Sequence, residues 1–395
     1  MSRFRIQFGA AWVLVGFAAA ANAQMAHTQT TPLPYSISSG SLDNPSGVEQ
    51  VVFDQIVGGG DVPWLRLSFA QAQLNGGSYL MLYSLFDGAI QKLDATAISQ
   101  WQNYSAYFNG SEVRILLMAA PHSAGNRVDL QQLDLGAWAP GDNVATQCGT
   151  TDDRVASNER SRGRLLNVGC TASIYNHVSG GRSCMITAGH CSSSPGSMNV
   201  LEFNVPLSLS NGTLQHPGPQ DQYACDTGTR VFQNGGLGRD WGLFKVFDNS
   251  NTGLQPFESQ NSMVTLGTSV PGAGTPTNIC GFGVDTGTAN QTQQIAFGPL
   301  TSVSGTIVNY SVDTEGGNSG SCVLNNNNSL VIAVHTNGGC TSTGGSNSGT
   351  AINMRRLRLA LSSFCTGSPI LGDMTNLSDA EFERLVERTT NEVTR

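Results

Sequence analysis

Lysine is almost absent: only Lys92 and Lys245 occur in 395 residues, and charged residues make up 12% of the chain. The formal net charge is −8 and no basic stripe is present, so the sequence carries no electrostatic footprint for nucleic acid. No cysteine precedes Cys148 and no C-x-x-C pair occurs, which excludes the usual ligand spacing of a structural zinc site. Neither a metal nor an organic cofactor is implied. Beyond the N-terminus no stretch approaches the roughly 20 apolar residues that a membrane span needs. What remains is rich in Gly, Ser, Asn and Thr, a mixture that favours short strands joined by many turns and points to an all-β chain.

Residues 1–23 read as a leader that is removed on export. Arg3 and Arg5 form a basic start, Ala10 to Ala21 an apolar run, and Ala21-Asn22-Ala23 an A-x-A cleavage signal. The expected location is therefore outside the cytoplasm, extracellular or periplasmic. The rest is long enough for two domains on the prior of roughly 100–200 residues each. Residues 24–140 hold no cysteine and read as a small antiparallel β-sandwich. Alternation is visible in Trp64 to Phe69, Tyr79 to Tyr83 and Val113 to Leu117, with turn signals at Asn75-Gly76-Gly77 and Asn109-Gly110. A polar stretch, 141–164, reads as a linker whose Arg160, Arg162 and Arg164 make it a candidate processing site. All nine cysteines lie between Cys148 and Cys365, and in an exported chain they read as disulfide staples with at least one left over. The tail, 366–395, is expected to be helical, opened by the capping box Ser378-Asp379-Ala380-Glu381; a preceding helix is expected over 353–363.

Three short segments carry chemistry. Cys184 to Cys191 is an apolar run ending in His190, the residue type a general base requires. Arg239-Asp240 opens a second apolar run, and an Asp at such a position can fix an imidazole's tautomer. Glu315-Gly316-Gly317-Asn318-Ser319-Gly320 surrounds a serine with glycines, which lets backbone N–H groups converge while the hydroxyl stays available. Each segment alone has a bland reading: a structural histidine, an Asp at a strand start, a glycine-rich turn.

Together, Thr187-Ala188-Gly189-His190-Cys191, Asp240 with its apolar run, and Gly317-Asn318-Ser319-Gly320 resemble the three signatures of chymotrypsin-like serine proteases, in that family's order. The resemblance covers about residues 165–365. It implies a double β-barrel, hydrolysis of protein or peptide substrates, and a catalytic triad of His190, Asp240 and Ser319. It further implies an oxyanion hole from the N–H groups of Gly317 and Ser319, and a Cys170–Cys191 disulfide. The strand through Thr336-Asn337-Gly338 would pair with extended substrate, and Thr336 would supply a hydroxyl that supports Asp240.

Two departures from the family pattern narrow the expectation. Asn318 replaces the Asp that pairs with a new N-terminus in trypsin-like activation, and Ile56-Val57-Gly58-Gly59, although it looks like such an N-terminus, lies within the sandwich module. The Gly-Asn-Ser-Gly-Ser form with His335 on a later strand is similar to the bacterial V8-like, or glutamyl-endopeptidase, branch, in which Thr314 and His335 would help bind an acidic side chain. Asp313 would instead suit a basic one, or would orient His335. The competing reading from another class is an inert protease-like binding protein whose N-terminal module binds a surface or carbohydrate; a third makes that module such an appendage of an active enzyme, a use that Trp64, Tyr79 and Trp101 would suit unless they pack in the core.

Overall fold

The structure, a computed structural model, describes residues 25–138, 146–193, 196, 198–365 and 372–393. The expected leader lies outside the described residues, as do 139–140 of the expected N-terminal module, 141–145 of the expected linker, and 366–371 and 394–395 of the expected tail.

Residues 30–136 form two antiparallel sheets. One orders Thr30–Ser38, Ser123–Gly136, Trp64–Gln73 and Phe108–Asn109, with Leu42–Asn44 beside the second strand. The other orders Gln50–Gly58, Glu112–Ala119, Tyr79–Ser84 and Ile90–Leu93. Period-2 patterning drives the packing: Val113, Ile115, Leu117 and Ala119 are buried, while Glu112 and Arg114 face outward. The run Trp64 to Phe69 is buried on both faces. There Arg66 donates to Ser105 O at 2.6 Å and its guanidinium lies over the rings of Tyr104 and Tyr107. Trp64 and Trp101 are core residues, so of the three candidate contact aromatics only Tyr79 reaches the surface, beneath the Lys92 ammonium. Ile56-Val57-Gly58 is strand in the second sheet, paired with Glu112 to Arg114.

Two six-stranded antiparallel barrels follow. The first runs Met198–Glu202, Arg162–Asn167, Cys170–His177, Ser183–Thr187, Asp240–Val246 and Gln222–Asn234, and closes by pairing the last with the first. The second runs Gln294–Ser304, Pro276–Gly281, Cys322–Asn325, Leu330–Asn337, Asn347–Ala351 and Ile307–Tyr310, closed in the same way. This is the chymotrypsin-like double β-barrel. The expected linker is partly built into it: Val155–Ala156 pairs with Gln294–Ser304, and Arg162 and Arg164 are buried in the first strand of the first barrel. Arg164 is tolerated inside because Glu202 neutralises it at 2.7 Å.

The helix Arg355–Phe364 lays Leu357 and Phe364 into a cluster that contains Cys184, Trp241, Cys322 and Val334, and so seals the seam between the barrels. A Cys184–Cys365 disulfide anchors its end. The last helix, Asp379–Val393, opens with the capping box: Ser378 N donates to Glu381 Oε2 at 2.7 Å while Glu381 N donates to Ser378 Oγ at 3.3 Å.

The sandwich is docked on the first barrel by side-chain amides that each bond backbone reciprocally. Gln222 accepts from Tyr107 N and donates to Tyr107 O, at 2.9 and 2.8 Å. Asn109 accepts from His216 N and donates to His216 O, both at 2.9 Å. Asn251 accepts from Lys92 N and donates to Ile90 O. Leu166, Val200 and Ala224 of the barrel join the sandwich core.

Candidate active site

The strand Ser183–Thr187 delivers His190 into the short helix Gly189–Ser192. The adjacent strand Asp240–Val246 pairs with it, Thr187 opposite Gly242, which brings Asp240 beside the helix. Both carboxylate oxygens of Asp240 are used on one residue: Oδ1 accepts from His190 N at 2.9 Å and Oδ2 lies 2.6 Å from His190 Nδ1. Both residues are buried, and His190 Nε2 has no hydrogen-bond partner among the described residues. The Thr350 hydroxyl accepts from Asp240 N at 3.0 Å. Thr336, expected to support Asp240, instead donates to Ser348 O. The two threonines lie on neighbouring strands, and Thr350 is the one that faces the start of Asp240–Val246.

The nucleophile-type loop is a pair of tight turns: Asn318 N donates to Glu315 O and Ser321 N to Asn318 O. Gly317 sits at φ +104°, and a Cβ there would lie 2.2 Å from Phe282 O, so only glycine fits. The loop is pinned between the barrels by Thr171 N donating to Ser319 O and Gly320 N to His335 O, each at 2.8 Å. The Ser319 hydroxyl points to Thr336 O at 3.4 Å. A Cys170–Cys191 disulfide backs the site, and Cys191 Sγ lies 3.8 Å from Ser319 O. The sulfurs of Cys170 and Cys191 cluster with the His190 imidazole in a metal-like grouping, but both are spent in the disulfide and offer no thiolate.

His335 is fully buried with its Nδ1 2.6 Å from the Tyr310 hydroxyl. Burial pushes the imidazole down to about 3, with His190 acting in the same direction, so it is neutral at physiological pH. Asp313 does not orient it. Its two oxygens accept from Cys148 N at 2.6 Å and Asp153 N at 2.7 Å, which turns the carboxylate toward the segment before the first barrel. Thr314 is buried with its hydroxyl accepting from Asn347 Nδ2 at 2.8 Å, and Gly338 is buried just past the strand that carries His335. Tyr310 and Asn347 carry no local signal in the sequence, because their roles depend on pairing across the second barrel.

Glu315 is a further feature of this loop. Its Oε1 accepts from Thr146 N, and its Oε2 is buried without a partner among the described residues. Burial raises the carboxyl to about 7; the Thr146 N–H and Arg154 oppose this only in part, and Asp152 and Asp285 reinforce it. The fold therefore favours protonated Glu315, a preference present below the ordinary value near 4.5 and lost as pH rises through about 7. Glu315→Gln should accordingly gain thermal stability over the parent across that window and show little difference below it. Melting temperature against pH measures this, and parallel curves would refute it.

No protein-family model matches the chain and no curated protein matches it. Among solved structures it is similar to a Glu endopeptidase in complex with MPD, at 18% identity over 53% of this chain and 95% of that chain, TM-score 0.40. It is similar to a thermostable serine protease, AL20, from an extremophilic microorganism, at 14% identity over 49% and 91%, TM-score 0.38. It is also similar to human heparin binding protein, at 13% identity over 56% and 100%, TM-score 0.41. At such identities and scores no activity passes from these proteins to this one. The class that the barrels define is a protease-like fold.

Proposed function

We propose that this chain is a secreted serine endopeptidase that works through Ser319, His190 and Asp240. The observation that supports the reading is the double use of Asp240, which fixes both the backbone and the ring of His190 and leaves Nε2 free of any partner among the described residues, while the neighbouring Cys191 touches Ser319 O. For reaction the Ser319 hydroxyl, which points to Thr336 O, would have to turn toward Nε2. Oγ then attacks a peptide carbonyl as Nε2 takes its proton, and the N–H groups of Gly317 and Ser319 hold the oxyanion. His190 returns the proton to the leaving amine, and water hydrolyses the acyl-enzyme by the same steps in reverse.

For the side chain preceding the scissile bond we propose an acidic residue. Asp313 is occupied by two backbone amides and so is spent as a partner for a cation. His335, neutral and paired with the Tyr310 hydroxyl through Nδ1, and Thr314, whose hydroxyl accepts from Asn347, are the two residues that would bind that acidic side chain. No helix among the described residues is long and apolar enough to cross a membrane, and three disulfides suit an oxidising compartment.

Reaction with a fluorophosphonate probe tests the assignment. Labelling is expected on the peptide containing Ser319 and should vanish in Ser319→Ala; persistence in that variant would sink it.

A further inference from the structure

Residues 25–28 run as a short irregular segment along the turn that joins Arg162–Asn167 to Cys170–His177. Alternate amides bind it: Ala26 N donates to Gly169 O at 2.8 Å and Thr28 N to Asn167 O at 3.0 Å. Ala26 and Thr28 are buried while His27 between them is exposed, the two-residue period of an added strand. Gly169, at φ +67°, makes the approach achievable, since a Cβ there would lie 1.7 Å from Ala26 O. Met25 packs on the apolar cluster that holds Ala188, Cys170 and Cys191, next to His190. Its carbonyl lies 3.1 Å from where a Cβ on Gly316 would stand, and Gly316 precedes the glycine of the oxyanion loop.

This segment therefore covers Gly169 and Gly316, on one side of the Ser319 loop. The other side belongs to Thr336 O and the end of the strand Leu330–Asn337. A peptide attacked at Ser319 has two halves. If the acyl half lies along Thr336 to Gly338, the half that departs as the amine must pass Gly316 and Gly169. Both positions are already covered by Met25 and Ala26.

We infer that Met25–Thr28 is a built-in occupant of the leaving-group half of the cleft, competing with the part of a polypeptide substrate that follows the scissile bond. The inference rests on the proposed peptidase activity. Compounds that extend only on the acyl side have no need of that half and should react unhindered, whereas longer peptides must first displace the segment.

The test compares two substrates with the same acyl sequence, chosen by peptide-library cleavage. One is a p-nitroanilide and the other an internally quenched peptide extending three residues past the scissile bond. In the full chain, Ala26→Pro deletes the donor to Gly169 O. It should raise kcat/KM for the extended peptide about tenfold, the worth of one to two backbone hydrogen bonds, and leave the anilide nearly unchanged. An equal change on both substrates, or none on the extended peptide, overturns the inference. Hydrogen exchange on the unmutated chain gives an independent reading. A non-cleavable reduced-bond peptide spanning the cleft should expose the amides of Ala26 and Thr28, and unchanged protection overturns the inference. Fluorophosphonate labelling separates the two ideas: without labelling the peptidase assignment itself falls, while labelling with substrate-independent kinetics removes only the occupant.

Discussion

Asp240→Asn should lower turnover by about 10⁴-fold while the fold stays intact, the effect expected when a triad carboxylate becomes an amide. The reason lies in how completely Asp240 is used. Oδ1 accepts from the backbone N–H of His190, and Oδ2 faces Nδ1 at 2.6 Å. An asparagine has one acceptor and one donor. The backbone N–H can only donate, so the amide oxygen must stay with it and the NH₂ is placed against Nδ1. That arrangement selects the tautomer with hydrogen on Nε2, which can no longer accept a proton from Ser319. Steady-state kinetics on the library-derived peptide should show the loss in kcat with KM nearly constant, and fluorophosphonate labelling should slow in parallel. A variant that keeps kcat within about tenfold would remove Asp240 from the mechanism, because orientation through Oδ1 alone would then suffice.

Local patterns in the sequence read through to structure wherever a few adjacent residues carry the physics. Alternation at Val113 to Leu117 gives a strand with one buried face, Ser378 to Glu381 gives a helix start, and the glycines about Ser319 give a turn that tolerates φ +104°. Long-range partners left no comparable trace. Asp313 is claimed by the amides of Cys148 and Asp153, more than a hundred positions earlier, and nothing near Asp313 in sequence foretells it. The same holds for Tyr310 at His335, for Thr350 at Asp240, and for Ala26 against Gly169. Cysteine number likewise does not fix pairing: three thiols, Cys225, Cys280 and Cys322, are buried and unpaired, because bridging needs Cβ atoms about 4 Å apart and correctly aimed. The burial of Arg164, one of two buried arginines in the expected linker, has no local sign for a related reason. Arg164 looks like a solvated charge until Glu202 is placed beside it.

That pairing makes the loss of Glu202 costly to the fold. Its Oε2 accepts from Arg164 Nε and Nη2 at 3.0 and 2.7 Å, and its Oε1 lies 2.8 Å from His216 Nδ1, with all three side chains buried. Burial alone would raise the Glu202 carboxyl, but the partners outweigh it and hold it below the ordinary range. Burial dominates at His216 and lowers it, so the ring is neutral and donates its Nδ1–H, while Arg164 supplies the compensating charge. His216 also stacks on Tyr107 of the sandwich with ring centroids 4.7 Å apart, and Trp64 meets it edge-on. The network thus sits where the sandwich docks on the barrel. Glu202→Gln leaves a guanidinium buried without a counter-charge and should destabilise the protein by about 3–5 kcal/mol in denaturant unfolding. Adding Arg164→Met removes that orphaned charge and should recover part of the loss, even though Gln215 O and Gln291 O lose their donor. If the second substitution instead adds its full cost to the first, the two residues are not energetically coupled and the destabilisation has another origin.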